Sequence, residues 1–569
     1  MNILKGKPFY LTDQEIKWVE DTLSNMTIEE KISQLFCLIA YSSEDNYLNF
    51  LSKDLKIGGI MCRTMPKEEI ISTVTKLQTR SKVPMLIAAN LESGGNGVCI
   101  EGTRVGSQLQ VAATNNLEMA SHLGEVCGRE GSALGINWAF SPVVDIDYNF
   151  RNPITNTRTF GSDPNLVSAM GKAYVNELQK YGMAAAIKHF PGDGVDERDH
   201  HLVSSINDFS CERWDETFGR VYHDLINAGS KTVMIGHILQ PAYSRYYDPE
   251  IKDEDILPAS LSYDLVTKLL KNKLGFNGLV ITDSTTMAGM VIPMSREKAV
   301  PQTIAAGCDM FLFTKNIEED FYFMRKGYDE GIITDERLND AVRKILALKA
   351  SLKLPEKQKN GKLLPDETKV NDVLGSKQFI EWEKACADES ITLVKEEKNI
   401  LPITPSKYKR ILLYGIETEA GNMGFGAKTG AVNRVIEKLE EKGYLVEKFK
   451  PKPGFEGMLS RYNEIQENYD LIIYIANMAT KSNQTIVRIE WDEPMGSNVP
   501  VYFTEVPTIF ISLENPYHLI DVPRVKTYIN TYGSSEVVIT ELLNKLEGKS
   551  LFKGKSPVDA FCGMWDTKL

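Results

Sequence analysis

The sequence predicts an α/β protein, a (β/α)8 TIM-type barrel followed by a smaller α/β sandwich domain. Three observations carry that expectation. Between residues 31 and 314, eight short apolar runs alternate with longer stretches of helical periodicity, as buried parallel strands do when a helix returns each one. Polar or ionisable residues close most of these runs, and the carboxyl ends of barrel strands are where such folds carry their chemistry. Finally, 569 residues exceed one ordinary core, so a second domain is expected.

In chain order the strand-like runs are 35–40, 57–62, 85–90, 136–144, 183–189, 232–237, 278–283 and 310–314. The polar residues at their ends include Arg63, Asn90, Glu92, Asp145, Lys188, His189, His237 and Asp283. Breakers and caps stand between runs, as in PASLS at 258–262 before the helical stretch 263–273. A doubly wound open sheet is the competing architecture. The barrel is expected over residues 1–353. Residues 354–375, polar and punctuated by Pro and Gly, read as a linker. In 376–569, strand-like runs at 410–414, 471–475 and 508–513 alternate with helical segments at 431–442 and 535–546. That pattern predicts the second, smaller α/β domain.

Composition narrows the function classes. The formal net charge is −12 and no Lys/Arg block stands out, which disfavours nucleic-acid partners. No apolar stretch is long enough for a membrane span, and the N-terminus lacks a signal-like apolar core. Eight scattered cysteines without a CxxC pair fit reduced thiols and a cytoplasmic location.

The densest chemistry lies in KHFPGDGVDERDHH, residues 188–201, which holds three of the seven histidines. A strand delivers Lys188 and His189, and Pro191, Gly192 and Gly194 then force a loop. Asp199 and His201 are two residues apart, so an extended backbone points both side chains the same way. A carboxylate on one imidazole nitrogen fixes the tautomer and leaves the other nitrogen to shuttle a proton. A solvated acidic loop and a metal site drawn from His189, Asp193, Asp199, His200 and His201 are the alternatives. No specific ligand spacing supports the latter, so neither metal nor cofactor is expected.

The second feature is GLVITDSTTM, residues 278–287, an apolar strand that ends abruptly in Asp283. A carboxylate there suits a nucleophile forming a glycosyl ester, or the cap of a following helix. Met287 closes the segment as a further candidate for the binding site. A third patch places Arg158 in a loop after Asp145 and Asp147, as a ligand-facing candidate. The Gly-rich stretch 421–430 fails the phosphate-loop spacing, because Lys428 does not directly follow Gly426.

The strings KHFPGDG…DHH, NWAFSPVVDID…NTRTFGSDP, LPASLS…LGFNGLVITDSTTMAG and AAGCDMFLF resemble glycoside hydrolase family 3, most nearly its N-acetylglucosaminidase branch. ESITLVK at 389–395 and SLENPY at 512–517 resemble parts of that family's second domain. The resemblance implies a retaining exo-β-N-acetylglucosaminidase, with Asp283 as nucleophile and His201, held by Asp199, as acid/base. It implies that Lys188, His189 and Arg158 hold the terminal sugar, with Asn90 and Glu92 beside them. A small carbohydrate is then the expected partner, with no nucleic acid and no membrane. The chain departs from the branch at Asn90, where the family has Asp, at Asp193, where it has a second His, and at 98, where no Arg follows. A β-glucosidase, a phosphorylase that uses phosphate in place of water, and a non-catalytic sugar-binding relative are the alternatives. Loss of the charge at Asn90 also opens the site to a phosphorylated or otherwise modified sugar.

Overall fold

A computed structural model describes residues 3–397, 399–417, 430–453, 456–459, 461–480, 482–483, 485 and 488–569. The Gly-rich stretch considered above lies almost wholly outside the described residues. The chain divides into two compact units. One comprises residues up to Val105, Ala120–Asn149 and Pro164–Ile380; the other comprises Gly106–Met119, Phe150–Asp163 and Glu381–Leu569.

The first unit is the expected barrel. Its strands are β1 (Phe36–Ile39), β2 (Gly59–Met61), β3 (Leu86–Ala89), β4 (Trp138–Ala139), β5 (Ala184–Phe190), β6 (Thr232–Ile235), β7 (Leu279–Thr282) and β8 (Phe311–Leu312). They pair in parallel in the order β8-β1-β2-β3-β4-β5-β6-β7. A parallel bridge between Ile281 and Met310 brings the two end strands together. A doubly wound sheet reverses its strand order at a switch point, whereas here neighbours in sequence are neighbours in space. That excludes the competing architecture. Every residue of β3, β5, β6 and β7 is buried, which is why these strands read as continuous apolar runs without alternation.

Two expectations change. The run 136–144 yields only Trp138–Ala139 as strand, and the chain beyond leaves the ladder except for a bridge from Val143 to Lys188. Residues 354–375 are no free linker: they carry the helices Leu354–Lys359 and Glu367–Val373 within the first unit. Gln358 Nε2 donates to the Ser81 carbonyl, and the Gly375 N–H donates to Glu130 Oε1. Polar composition marks solvent exposure here, not the absence of packing.

The second unit is built on six strands: β9 (Thr392–Glu396), β10 (Arg410–Glu417), β11 (Leu445–Lys448), β12 (Leu471–Asn477), β13 (Thr508–Ser512) and β14 (Thr527–Asn530). Their order is β9-β14-β13-β12-β10-β11, parallel except for the antiparallel β9 edge. Alternate residues supply two cores. Ile411, Leu413, Ile473 and Ile509 join one cluster, and Leu412, Tyr414, Ile472 and Phe510 join the other. Strand alternation sends successive side chains to opposite faces, so the sheet is covered on both. In the second core Tyr414, Tyr474, Phe510 and Tyr528 occupy paired positions on adjacent strands. Their rings stack with centroids 4.4, 5.7 and 5.5 Å apart.

Candidate active site

Four strand ends of the first unit deliver ionisable side chains. Beyond β3 stands Glu92, whose Oε1 lies 2.7 Å from Lys188 Nζ on β5. Lys188 is nearly buried and Glu92 about one-fifth exposed, so the pair is only partly shielded from solvent. Asn90, the residue immediately after β3, is exposed.

Next to Lys188, His189 is fixed by a buried carboxylate. Asp145, on the segment after β4, accepts from His189 Nδ1 at 2.7 Å and from the His189 backbone N–H at 3.0 Å. It also accepts from the Asp193 backbone N–H at 2.8 Å. With Nδ1 donating to Asp145, a neutral His189 keeps its lone pair on Nε2, and that nitrogen lies 3.8 Å from Asp283 Oδ2.

Asp283 directly follows β7, and its backbone N–H donates to the Ile235 carbonyl on β6. It does not cap a helix: the next one, Ala288–Val291, has Met287 at its N-cap. Instead Asp283 Oδ1 accepts the Ser284 N–H at 2.6 Å. Burial pushes this carboxyl upward, but positive charge on the imidazoles around it, His189 first, outweighs burial and holds it well below the usual carboxylate range.

The loop after β5 is locked against this strand end. Asp199 Oδ1 accepts from His201 Nδ1 at 2.7 Å and from the His201 N–H at 2.8 Å. The His201 carbonyl accepts the Ala288 N–H at 2.9 Å, and Ser204 Oγ donates to the Gly289 carbonyl. A Cβ at Gly289 would lie 2.5 Å from the His200 carbonyl oxygen, so glycine is what lets the loop approach. At the loop's start Gly192 has φ +116°, and a Cβ there would fall inside the Phe218 ring's contact distance. His201 keeps about a quarter of its side chain exposed while Asp199 is buried.

The expected set is therefore largely brought together: Glu92, Lys188, His189, Asp199, His201 and Asp283 belong to one unit. Met287 is nearly buried at the N-cap beside them. Arg158 falls in the other unit, on the turn Asn156–Arg158. Its position after a strand end could not reveal that residues 150–163 leave the barrel's own packing.

Two histidines gain importance from the structure. His237, after β6, is buried; its Nδ1 pairs with Ser260 Oγ at 2.8 Å and its Nε2 with the Ser284 carbonyl at 2.9 Å. A carbonyl accepts only, so Nε2 carries the proton and the Ser260 hydroxyl donates to Nδ1. Burial holds this imidazole below its ordinary value. His200 has no exposed side-chain surface, and its Nε2 lies 3.8 Å from Asp283 Oδ2 and 4.0 Å from Asp193 Oδ2. Neither of its ring nitrogens has a hydrogen-bond partner among the described residues. Burial drives it well below the usual histidine range, against the pull of Asp283. Its ring centroid lies 5.4, 5.2 and 6.3 Å from those of His189, His201 and His237. The sequence flags the cluster by histidine density alone; it does not say which histidine is orphaned.

Among the described residues no helix is long and apolar enough to cross a membrane. The sequence model "Glycosyl hydrolase family 3 N terminal domain" matches residues 27–348. The chain is 54% identical over 566 residues to a "Beta-N-acetylglucosaminidase/beta-glucosidase" of Cellulomonas fimi, covering 100% of both. Among solved structures it resembles "Beta-glucoside phosphorylase BglX" with 43% identity and a TM-score of 0.92, covering 99% of each chain. A family 3 β-N-acetylglucosaminidase of Paenibacillus sp. str. FPU-7 shares the fold, with 23% identity, a TM-score of 0.78, and coverage of 95% of this chain and all of that one. A parallel barrel with an acid at one strand end, matched along more than half its length by that model, makes this chain a member of glycosyl hydrolase family 3, an enzyme acting on carbohydrates.

Proposed function

We propose that the enzyme is a retaining β-glycoside phosphorylase that takes a terminal β-glucosyl or β-N-acetylglucosaminyl group and passes it to inorganic phosphate. The observation that carries this reading is the imidazole of His201, held by buried Asp199, in the role that a second carboxyl group fills in most glycosidases.

In the first half-reaction Asp283 attacks the anomeric carbon and the glycosidic bond breaks. His201, as an imidazolium held by Asp199, gives its Nε2 proton to the departing oxygen and becomes neutral. Asp283 is suited to the attack because its depressed titration keeps it ionised. In the second half-reaction a phosphate oxygen attacks the anomeric carbon, its bond to Asp283 breaks and frees the carboxylate, and His201 regains a proton from the hydrogen phosphate or from solvent.

The two acid types differ in what they leave behind. A spent carboxylic acid becomes an anion, while a spent imidazolium becomes neutral. A unit charge about 4 Å from another costs roughly 4 kcal/mol at an effective dielectric near 20. That repulsion disfavours phosphate directly beside a carboxylate and is weaker at His201, where the anion, Asp199, stands behind the imidazole ring. The activity named for the similar β-glucoside phosphorylase agrees with this reading.

Lys188 and His189 are assigned to the sugar's hydroxyls, with Glu92 fixing the ammonium. Neutral Asn90, exposed at the rim, leaves room there for an anionic or bulky substituent. Simple hydrolysis of N-acetylglucosaminides is the second reading, favoured by the β-N-acetylglucosaminidase activity named for the Cellulomonas relative.

Aryl β-glucoside and aryl β-N-acetylglucosaminide, each turned over with and without phosphate, decide between them. Phosphorus NMR should show sugar 1-phosphate as the main product in phosphate. Free sugar alone, at a rate indifferent to phosphate, would leave only the hydrolytic reading.

A further inference from the structure

We propose that His189, His200 and Asp283 form a binding site for a borderline divalent metal ion of the Zn2+ type, seated on the carboxylate that glycosyl transfer requires. One ligand atom from each residue can be chosen so that all three lie within 4.8 Å of one another. His189 Nε2 and His200 Nε2 are each 3.8 Å from Asp283 Oδ2. A tetrahedral zinc with bonds of about 2.0–2.1 Å spaces its ligands about 3.3 Å apart, so small side-chain rotations close the set.

Three further features point to a cation. His200 is wholly buried with both ring nitrogens lacking a hydrogen-bond partner among the described residues, and a metal bond satisfies one of them. His189 is already prepared as a ligand: Asp145 accepts its Nδ1 proton at 2.7 Å, leaving Nε2 with its lone pair toward Asp283. Metal-bound histidines are held in this way by an outer carboxylate. Finally, Asp283, Asp145 and Asp193 surround two imidazoles, and Asp193 Oδ2 stands 4.0 Å from His200 Nε2. The donor set of two imidazoles and a carboxylate suits Zn2+ or Co2+ rather than Mg2+ or Ca2+. Asp199 and His201, which the sequence offered as ligands, are committed to each other and stay outside the set.

A metal here occupies the Asp283 lone pair and removes the nucleophile. Free Zn2+ therefore inhibits, and bound sugar and metal exclude each other. The inhibitory consequence rests on the role given to Asp283; binding itself does not.

The test uses full-length protein freed of metal with a chelator. Equilibrium dialysis with Zn2+ alone should give one equivalent bound, with affinity at least tenfold weaker in H200Q, a residue outside the proposed transfer steps. Turnover of H200Q should resist Zn2+ by a similar factor. Thermal unfolding checks that H200Q is folded. Should it fold poorly, Co2+ added to the wild type carries the test through the intense visible absorption of a four-coordinate site, lost in D283N. Absence of stoichiometric binding, or equal affinity in folded H200Q and wild type, overturns the proposal. Binding that depends on His200 while turnover ignores Zn2+ supports the site and removes Asp283 from the mechanism instead.

Discussion

At the scale of single residues, the site separates groups that must ionise from groups that must not. Burial opposes charge on His200 and His237, while the positive charge of the imidazoles around Asp283, His189 first, keeps that carboxyl ionised. His201 is partly exposed and tied to Asp199. His201→Ala should therefore slow aryl glycosides with poor leaving groups by about 10²–10⁴-fold and good ones far less, because only the former need the proton. A plot of log kcat/KM against leaving-group pKa reads this as a steeper slope. Asp145→Asn should cost about 10–100-fold, since the amide can no longer hold His189 in one tautomer; the loss should fall on kcat/KM for the sugar.

Acid sensitivity is also a matter of residues. His518, buried in the second unit with Nδ1 2.9 Å from Ser512 Oγ, is pushed down to about 3 by burial and by Arg488. The unfolded chain takes up that proton below about pH 6.5, so it binds more protons than the folded form between there and about 3. The histidine's contribution is intact above that window and lost as pH falls through it, at up to about 1.4 kcal/mol per unit. Tm measured against pH should flatten over this range in His518→Asn.

At the scale of elements, glycines set how closely loop and strand end approach. Gly289→Ala places a methyl group 2.5 Å from the His200 carbonyl oxygen. The loop must retreat with Asp199 and His201, so kcat should fall at least tenfold while the variant stays folded; kinetics beside circular dichroism show both.

Most strands were legible because burial on both faces writes an uninterrupted apolar run. The short β4 was overcalled: 136–144 is apolar because it is buried, not because it is laddered. The acid at the tip of β7 was legible as an anomaly, since strand burial explains everything in that run except Asp283. Whether it capped a helix was not legible, because the cap depends on where the next helix begins, and Met287 takes that place. His200 was read with its neighbours as one loop motif. Only three-dimensional packing reveals that its ring nitrogens have no hydrogen-bond partner among the described residues.

At the scale of the whole molecule, the expectation of two domains follows from length, but their boundaries do not. Residues 106–119 and 150–163 pack with the second unit although the barrel surrounds them in sequence. Contact partners far along the chain decide this, and no local pattern encodes them.

The barrel also holds a costly group. Lys349 is fully buried, donates to Gln34 Oε1 at 2.7 Å, and is pushed down to about 7 by burial. Its charged form is disfavoured on folding. Stability therefore falls as pH drops from about 10.5 toward 7 and the penalty is constant below. Lys349→Met should raise the barrel's stability by about 1–3 kcal/mol at neutral pH, with the gain vanishing in strong alkali; denaturant melts at several pH values measure it.

The stacked rings of Tyr414, Tyr474, Phe510 and Tyr528 each lie within about 6 Å of the next along four parallel strands. Chromophores so close and so nearly coplanar share their excited states. The second unit therefore carries its own optical signature, a coupled near-ultraviolet dichroism that vanishes when those strands part. Without any attached dye, that signal lets the melting of this half be followed separately from the loss of turnover in the other.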